Sequence, residues 1–184
     1  VLSVPMVMEK IYKSKVLATF TKTEKIKNLY EKRFFQKIFH KIAGKKLMKT
    51  FGGKLVFFGI GGAKLDPVVE QFLKDAKFPY AIGYGLTETA PLLAGSGVKI
   101  TKPGTIGPIV EGVEMKILNP DPKTGIGEVV VKGPNVMKGY YKAPELTAAA
   151  FTTKEDSVGE GWYKTGDLGD LDSTGRLSLK GRLK

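Results

Sequence analysis

The sequence of 184 residues contains no cysteine and a single tryptophan. The missing thiols exclude disulfide bridges and thiolate-bound metal ions, so stability has to come from a packed core. The sequence also lacks an uninterrupted apolar run of about 18 residues, the length that a membrane-spanning helix needs. Its apolar content of 42% is that of a globular protein. We therefore expect a soluble, cytoplasmic protein with one ordinary domain or two small lobes.

The net charge of +12 is concentrated in one part of the chain. Residues 9–54 contain 14 Lys and Arg against 3 acids, a balance of +11 that leaves +1 for the rest. Apolar residues within this part recur at spacings of three and four, which predicts one helix with a single apolar stripe. The stripe is formed by Ile26, Leu29, Tyr30, Phe34, Ile38 and Ile42, with Phe35 and Phe39 beside them. We expect it to pack against the core and the lysines to face solvent.

The basic helix near residues 24–42 has a second interpretation. Its lysines also suit an acidic ligand or an anionic membrane surface, which would place the protein peripherally at the inner membrane face. Binding to nucleic acid is disfavoured, because the aromatic residues lie on the apolar stripe rather than on an exposed platform. We interpret His40, beside the stripe, as an ordinary helix residue rather than a catalytic base.

The first part of the chain has the pattern of an α/β protein. The basic helix is predicted to end near Ala43–Gly44, and residues 54–60 form an apolar run typical of a buried parallel strand. Asp66 and Pro67 supply the N-cap and first residue of the next helix, and residues 80–84 predict a second strand. Glycine-rich loops follow both strands at their carboxyl ends, where open parallel sheets bind ligands.

Beyond Pro103 the sequence changes to short β-like runs separated by Gly, Pro, Asn and Asp. Asp172–Gly175 predicts a hairpin turn, and residues 143–151, APELTAAAF, have a helix-forming composition. The predicted fold class is therefore α/β followed by a mostly-β lobe. We expect a helical and α/β portion over residues 1–102 and a small β-rich lobe over residues 103–184.

The stretch GYGLTET, which begins at Gly83, carries the first chemical signal. Gly83 and Gly85 leave the backbone free of Cβ atoms and make positive φ accessible, so a flat ligand can approach and stack on Tyr84. Thr87 supplies a hydroxyl and Glu88 a hard oxygen ligand, the pair expected around a phosphate and Mg²⁺. A strand-to-helix turn with a threonine cap explains the same letters structurally, so both interpretations stay open.

Three further motifs follow in order, and together with GYGLTET they resemble one family. They are GEVVVKGPNVMKGYYKAPELT at 127–147, WYKTGDLG at 162–169 and GRLSLKGRLK at 175–184. The family is that of the adenylate-forming enzymes, which includes acyl-CoA synthetases, luciferases and peptide-synthetase adenylation domains. Within it the chain looks like a bacterial long-chain fatty acid–CoA ligase, from VPMVMEKIYKS near its start to its last residue.

The resemblance implies a two-step reaction that uses a long-chain fatty acid, ATP with Mg²⁺, and coenzyme A. The fatty carboxylate attacks the α-phosphate of ATP to give acyl-adenylate and pyrophosphate, and the thiol of coenzyme A then displaces AMP. Adenylation of an aryl or amino acid in the same superfamily is a second hypothesis. A basic membrane-binding module without activity is a third.

The same resemblance assigns residues around adenine and the phosphates. Tyr84 lies against adenine, Thr87 hydrogen-bonds the α-phosphate and Glu88 holds Mg²⁺, so that both of the last two stabilise charge on the phosphoryl oxygens. The adenine pocket is lined by Gly61, Gly62, Ala63, Gly83 and Gly85. The segment 127–141 is expected to build the β-lobe and the floor beneath the nucleotide, without a chemical role.

Three residues near the carboxyl end complete the implied assignments. Asp167 accepts hydrogen bonds from both ribose hydroxyls, and Arg182 also reaches the ribose. Lys184 matches the hinge about which the family's carboxyl-terminal domain rotates. A turn-capping aspartate is the alternative interpretation of Asp167.

Two parts of the family pattern are missing from this sequence. A phosphate loop of the TSGTTG kind does not occur, and nothing follows Lys184. We therefore expect an internal fragment, the distal half of the large amino-terminal domain of an acyl-CoA synthetase. Such a fragment would lack most of the coenzyme A site, would not turn over alone and would self-associate through uncovered apolar surface.

Overall fold

The computed structural model describes residues 1–183, which fall into two compact units. The first unit comprises residues 1–82 and 97–104, and the second comprises residues 83–96 and the chain from residue 105 onward. The two units therefore interleave along the sequence around the expected boundary at 102–103. The hinge residue Lys184 lies outside the described residues.

Helices make up most of the first unit. They are α1 (Pro5–Ile11), a π-helical stretch (Tyr12–Leu17), α2 (Ala18–Phe20), α3 (Glu24–Tyr30), α4 (Arg33–Thr50) and α5 (Pro67–Asp75). None of the helices within residues 1–183 combines the length and apolar character that crossing a bilayer requires. The carboxylate of Asp66 accepts hydrogen bonds from the backbone N–H groups of Val68 and Val69, so the predicted cap of α5 is confirmed.

Short parallel strands complete the first unit. β1 (Leu2–Ser3) pairs with β2 (Phe58–Ile60), and β2 pairs with the first half of β3 (Tyr80–Gly85). Both predicted strands are present, although β2 covers only the end of the apolar run at 54–60. The side chains that fill the core of this unit are Met8, Phe58, Ile60, Val69, Phe72, Leu73 and Tyr80.

The basic segment departs from the prediction in two ways. It forms two helices, α3 and α4, with a break at residues 31–32. The buried residues of α4 are His40, Ala43, Gly44 and Leu47. Most of the predicted stripe is exposed instead, namely Ile26, Phe34, Ile38 and Ile42. Apolar residues occur around most of the circumference of α4, so their spacing alone could not identify the buried face.

The predicted helix end at Ala43–Gly44 is also wrong, because α4 continues to Thr50. Gly44 lies at a close contact with the end of α5, where a Cβ atom on Gly44 would come within 2.6 Å of the Cβ of Ala76. The glycine thus permits close packing of two helices rather than ending one. Gly52–Gly53, both with positive φ, follow the real end of the helix.

A buried chain of polar side chains joins α3, α4 and α5. The Tyr30 hydroxyl lies 2.8 Å from His40 Nε2, and His40 Nδ1 lies 3.0 Å from a carboxylate oxygen of Asp75. Burial lowers the pKa of His40, although the adjacent Asp75 opposes that shift. His40 therefore has a more specific place than an ordinary helix residue, since it links three helices.

The second unit is built mainly from antiparallel strands. They are β4 (Leu92–Gly95), β5 (Gly107–Pro108), β6 (Glu114–Leu118), β7 (Gly127–Lys132), β8 (Tyr163–Leu171) and β9 (Arg176–Arg182). The last five form one sheet in the order β5-β9-β8-β7-β6, and the second half of β3 pairs with β4. A hairpin turn at Asp172–Gly175 joins β8 to β9, and α6 (Pro144–Ala150) is the predicted helix. The α/β portion followed by a mostly-β lobe is thus confirmed.

Candidate functional site

The loop after β3 contains two threonines that differ in their surroundings. Thr89 is completely buried, and its hydroxyl oxygen accepts from the N–H of Leu86 at 3.1 Å and lies 2.6 Å from the carbonyl of Pro91. Thr87 is exposed, and its hydroxyl has no hydrogen-bond partner within residues 1–183. The alternative of a structural threonine therefore applies to Thr89, whereas Thr87 is available to a ligand.

Packing explains one glycine of the GYG motif better than ligand approach does. A Cβ atom on Gly85 would overlap the carbonyl oxygen of Pro91, which folds back to receive hydrogen bonds from Leu86 and Thr89. Neither Gly83 nor Gly85 has a positive φ. Gly85 is therefore required because the loop folds back and brings Pro91 against it. The positive φ that a glycine allows is not used at this position.

Residues 133–141 hold this loop from outside. The side-chain amide of Asn135 donates to the carbonyls of Thr89 and Leu92, at 2.7 and 3.0 Å. The N–H of Met137 donates to the carbonyl of Glu88 at 2.8 Å. This segment was expected to have no chemical role, and these contacts give it a positioning role that the sequence motif did not indicate.

The Glu88 side chain is half-buried and is held through tyrosine hydroxyls. Its Oε1 accepts a hydrogen bond of 3.0 Å from the hydroxyl of Tyr140. Tyr140 also hydrogen-bonds Tyr163, whose own pKa is raised by burial first and then by Tyr140 and the charge of Glu88. Tyr140 and Tyr163 thereby fix the carboxylate without neutralising it, and sequence reasoning assigned neither of them.

Among the described residues, Glu88 is not part of a preformed metal site. Within residues 1–183 there is no cluster of three His, Cys, Asp or Glu side chains that could hold a metal ion. Mg²⁺ bound to nucleotides usually takes one or two protein carboxylates and fills its other positions with phosphate oxygens and water. A single oriented carboxylate is what that mode of binding needs from the protein.

Asp167 stands at the centre of a second group of contacts. Its Oδ2 accepts a hydrogen bond of 2.8 Å from the hydroxyl of Tyr84, and its Oδ1 lies 3.4 Å from Nε of Arg182. Asp167 and Arg182 are directly paired across β8 and β9. The three residues that the family resemblance placed around adenine and ribose are therefore brought together.

The contacts of Asp167 leave part of the carboxylate free. A carboxylate has about four lone-pair positions, and Tyr84 and Arg182 use two of them. The backbone N–H of Asp167 is held by the Thr165 hydroxyl, which itself donates to the carbonyl of Val129. Asp167 is therefore fixed in position while retaining capacity for two more hydrogen bonds, and a turn-capping role does not describe it.

Tyr84 has a position that the sequence did not predict. Its side chain is only 7% exposed, so little of the ring face expected to stack on adenine is open. Burial raises the pKa of Tyr84, and the nearby Asp167 carboxylate raises it further. The neutral hydroxyl thus acts as a hydrogen-bond donor that orients Asp167.

Gly61, Gly62 and Ala63 lie in the first unit, in the turn that follows β2. Gly62 has a positive φ, and both Gly62 and Ala63 are exposed. Their contribution to an adenine pocket stays a prediction.

The comparisons of this chain with known proteins agree with one another. A family model described as AMP-binding enzyme matches residues 1–141. Fatty acyl-CoA synthetase A of Dictyostelium discoideum is 35% identical over 157 residues, covering 80% of this chain and 22% of the relative. 4-Coumarate–CoA ligase 1 of Solanum tuberosum is 37% identical over 137 residues, covering 67% of this chain and 24% of the relative.

A solved structure adds a comparison of the fold. O-succinylbenzoate coenzyme A synthetase from Bacillus subtilis, in complex with AMP, matches with a TM-score of 0.60 and 28% identity. The match covers 77% of this chain and 30% of that one. The present chain spans only 22% and 24% of the two curated relatives.

Proposed function

The chain belongs to the AMP-binding enzyme family, and from that membership we propose that it carries ribose- and phosphate-binding residues of an ATP-dependent acid–CoA ligase. The contacts of Asp167 are the observation that supports this most strongly. Tyr84 and Arg182 fix its two carboxylate oxygens, and two acceptor positions remain for a diol. The two hydroxyls of a ribose are such a diol.

Thr87 and Glu88 supply the phosphate-facing part of the proposal. In the first step a substrate carboxylate oxygen attacks the α-phosphorus of ATP, the bond to pyrophosphate breaks, and negative charge grows on the phosphoryl oxygens. The free hydroxyl of Thr87 donates to one of these oxygens, and Glu88 would hold a Mg²⁺ ion, which would supply positive charge beside them. In the second step the thiol sulfur of coenzyme A attacks the acyl carbon and AMP leaves.

We propose a long-chain fatty acid as the acid substrate. The fatty acyl-CoA synthetase among the relatives supports this choice, while the coumarate ligase favours an aromatic acid as the second candidate. In the segment that follows Glu88, whose small and apolar residues suit a hydrocarbon chain, Leu93 and Ala94 are fully buried and Leu92 is 45% exposed. Leu92, together with the exposed Ala90 and Pro91, is therefore available there to contact a substrate.

The proposal is tested by titrating the chain calorimetrically with AMP, and with ATP in the presence and absence of Mg²⁺. We expect Asp167→Ala to weaken AMP binding about a hundredfold, because two hydrogen bonds to a charged group are lost. Asp170→Ala is the matched control, since Asp170 lies on the same strand and pairs with Lys180 at 3.0 Å. Equal affinity of Asp167→Ala and the unaltered chain would contradict the assignment. Circular dichroism of both variants checks that they remain folded. If Asp167→Ala does not fold, Asp167→Asn is the conservative variant to titrate in its place.

A further inference from the structure

The outward face of α4 is a prominent surface that nucleotide binding does not explain. Phe34, Ile38 and Ile42 are 73, 42 and 48% exposed. They are four residues apart, so they form one apolar row along the helix. The opposite face of α4 is buried against its own unit, which leaves this row outside while the helix stays anchored.

A row of cations runs beside the apolar row. Successive positions four residues apart are occupied by Arg33, Lys37, Lys41, Lys45 and Lys49, and Lys46 lies beyond Ile42 on the neighbouring row. α4 contains no acidic residue, and none of these six side chains forms an ion pair with the part of the chain that the structure describes. Like charges at this spacing repel one another. An anionic partner would remove that repulsion.

We propose that this face of α4 binds the surface of an anionic lipid bilayer. The apolar row enters the boundary between headgroups and acyl chains, and the lysines extend to the lipid phosphates. Clusters of four to eight cations on an amphipathic helix are typical of binding to anionic lipids. A nucleic acid would satisfy the cations but leave the apolar row in water, so a bilayer matches both rows.

A recess of about 180 Å³ adjoins the face and has the same composition. Lys15 and Lys46 line it, and its apolar lining comes from Val16, Phe20, Ile42, Ala43 and Leu47. The recess extends the proposed surface from α4 to the helical segment that ends at Phe20. This proposal does not depend on the nucleotide site.

The test is co-sedimentation of the chain with vesicles of phosphatidylcholine alone and of an equimolar mixture with phosphatidylglycerol. We expect binding to the anionic vesicles that weakens as salt is added. Replacing Lys41, Lys45 and Lys49 together by Gln should lower the partition coefficient about a hundredfold. Replacing Phe34 and Ile38 together by Ser should lower it about tenfold, because the apolar area available for insertion is lost.

Two controls keep the result specific to α4. Lys54, Lys99 and Lys123 are exposed lysines outside the helix, and replacing all three by Gln removes the same charge. Val68→Ser removes an exposed apolar side chain, 59% exposed, from α5. The proposal is overturned if the unaltered chain ignores anionic vesicles, or if the control and α4 variants lose binding equally. It is also overturned if the Phe34 and Ile38 changes dissociate an oligomer, seen by light scattering, without altering vesicle binding, since a second copy would then cover the face.

Discussion

Each of the two units contains a small cluster in which a tyrosine hydroxyl is hydrogen-bonded to an ionisable side chain. The two clusters differ in how far their charged side chains are exposed to solvent. They are the His40 cluster, made of Tyr30, His40 and Asp75, and the Asp167 cluster, made of Tyr84, Asp167 and Arg182. In the first, His40 is 2% exposed and both of its ring nitrogens have partners. In the second, the Arg182 side chain is 70% exposed and the carboxylate keeps unused acceptor positions.

The comparison sets a structural polar cluster beside the one that we propose binds a ligand. Buried polar groups whose partners all lie inside the protein stabilise its fold, because losing one partner leaves another unsatisfied. A cluster that includes a solvent-exposed charged side chain contributes less to the stability of the fold and is open to a ligand on that side. Tyr30 and Tyr84 are both 7% exposed and each aspartate has two protein partners, so the exposed Arg182 in place of the buried His40 is what distinguishes the clusters.

The largest effect is expected from breaking the His40 cluster. His40→Ala should lower the free energy of unfolding by about 3 kcal/mol, because it opens a cavity and strands the partners Tyr30 and Asp75. Urea denaturation measures the change. Lys41→Ala, at the next and exposed position, is the control and should stay within about 0.5 kcal/mol. A small effect at His40 would mean that the cluster does not hold the helices together.

The two threonines of the loop after β3 test the same contrast between a structural and a ligand-facing side chain within one motif. Thr89→Val should cost about 2 kcal/mol of stability, because its buried hydroxyl satisfies the backbone of Leu86 and Pro91. Thr87→Val should leave stability unchanged and weaken ATP binding. Thermal unfolding and calorimetric titration of both variants distinguish the roles. Lower stability for Thr87→Val together with weaker ATP binding for Thr89→Val would contradict the assignment.

The orienting hydroxyl of Tyr84 should have an effect of intermediate size. Tyr84→Phe removes a hydrogen bond to a carboxylate and keeps the buried ring, so we expect AMP affinity to fall about tenfold. Tyr163→Phe, another buried tyrosine of the same unit, should have a weaker effect on AMP. An unchanged affinity for Tyr84→Phe would show that Arg182 alone positions Asp167.

The smallest effect is a pH dependence carried by His40. Burial holds the pKa of folded His40 below its ordinary value of 6.5, so the unfolded chain takes up a proton first as the pH falls. The stability from neutral His40 is therefore complete above pH 6.5 and is lost as the pH falls from there to the folded pKa. Denaturation of the protein and of His40→Gln over this range should show a smaller loss of stability with falling pH for the variant. Equal slopes would exclude His40 as its source.

Sequence reasoning succeeded where a local signal had one structural solution. The Asp66–Pro67 cap, the Asp172–Gly175 turn and the strand at 80–84 each follow from the chemistry of a few neighbouring residues. It failed for α4, where apolar and cationic residues occur around the helix and contacts with α3 and α5 select the buried face. Tertiary contacts of this kind cannot be read from spacing.

The same limit applies to the candidate site. The family resemblance selected Tyr84, Thr87 and Asp167 as candidates, because a resemblance assigns positions, and their roles stay predictions. It gave no sign that Tyr84 bonds Asp167 across 83 residues or that Asn135 and Tyr140 hold the loop, since those contacts join distant parts of the chain. The steric reason for glycine at position 85 likewise depends on its contact with Pro91, which the sequence motif does not indicate.

The most direct measurement is a binding cycle that combines Asp167→Ala with removal of both ribose hydroxyls. AMP and 2′,3′-dideoxyadenosine monophosphate are titrated into the unaltered chain and into the variant. If the spare acceptors of Asp167 bind the ribose, the unaltered chain prefers AMP about a hundredfold, and the preference disappears in the variant. An equal preference in both proteins would show that Asp167 does not contact the ribose and would place its cluster with the structural one around His40.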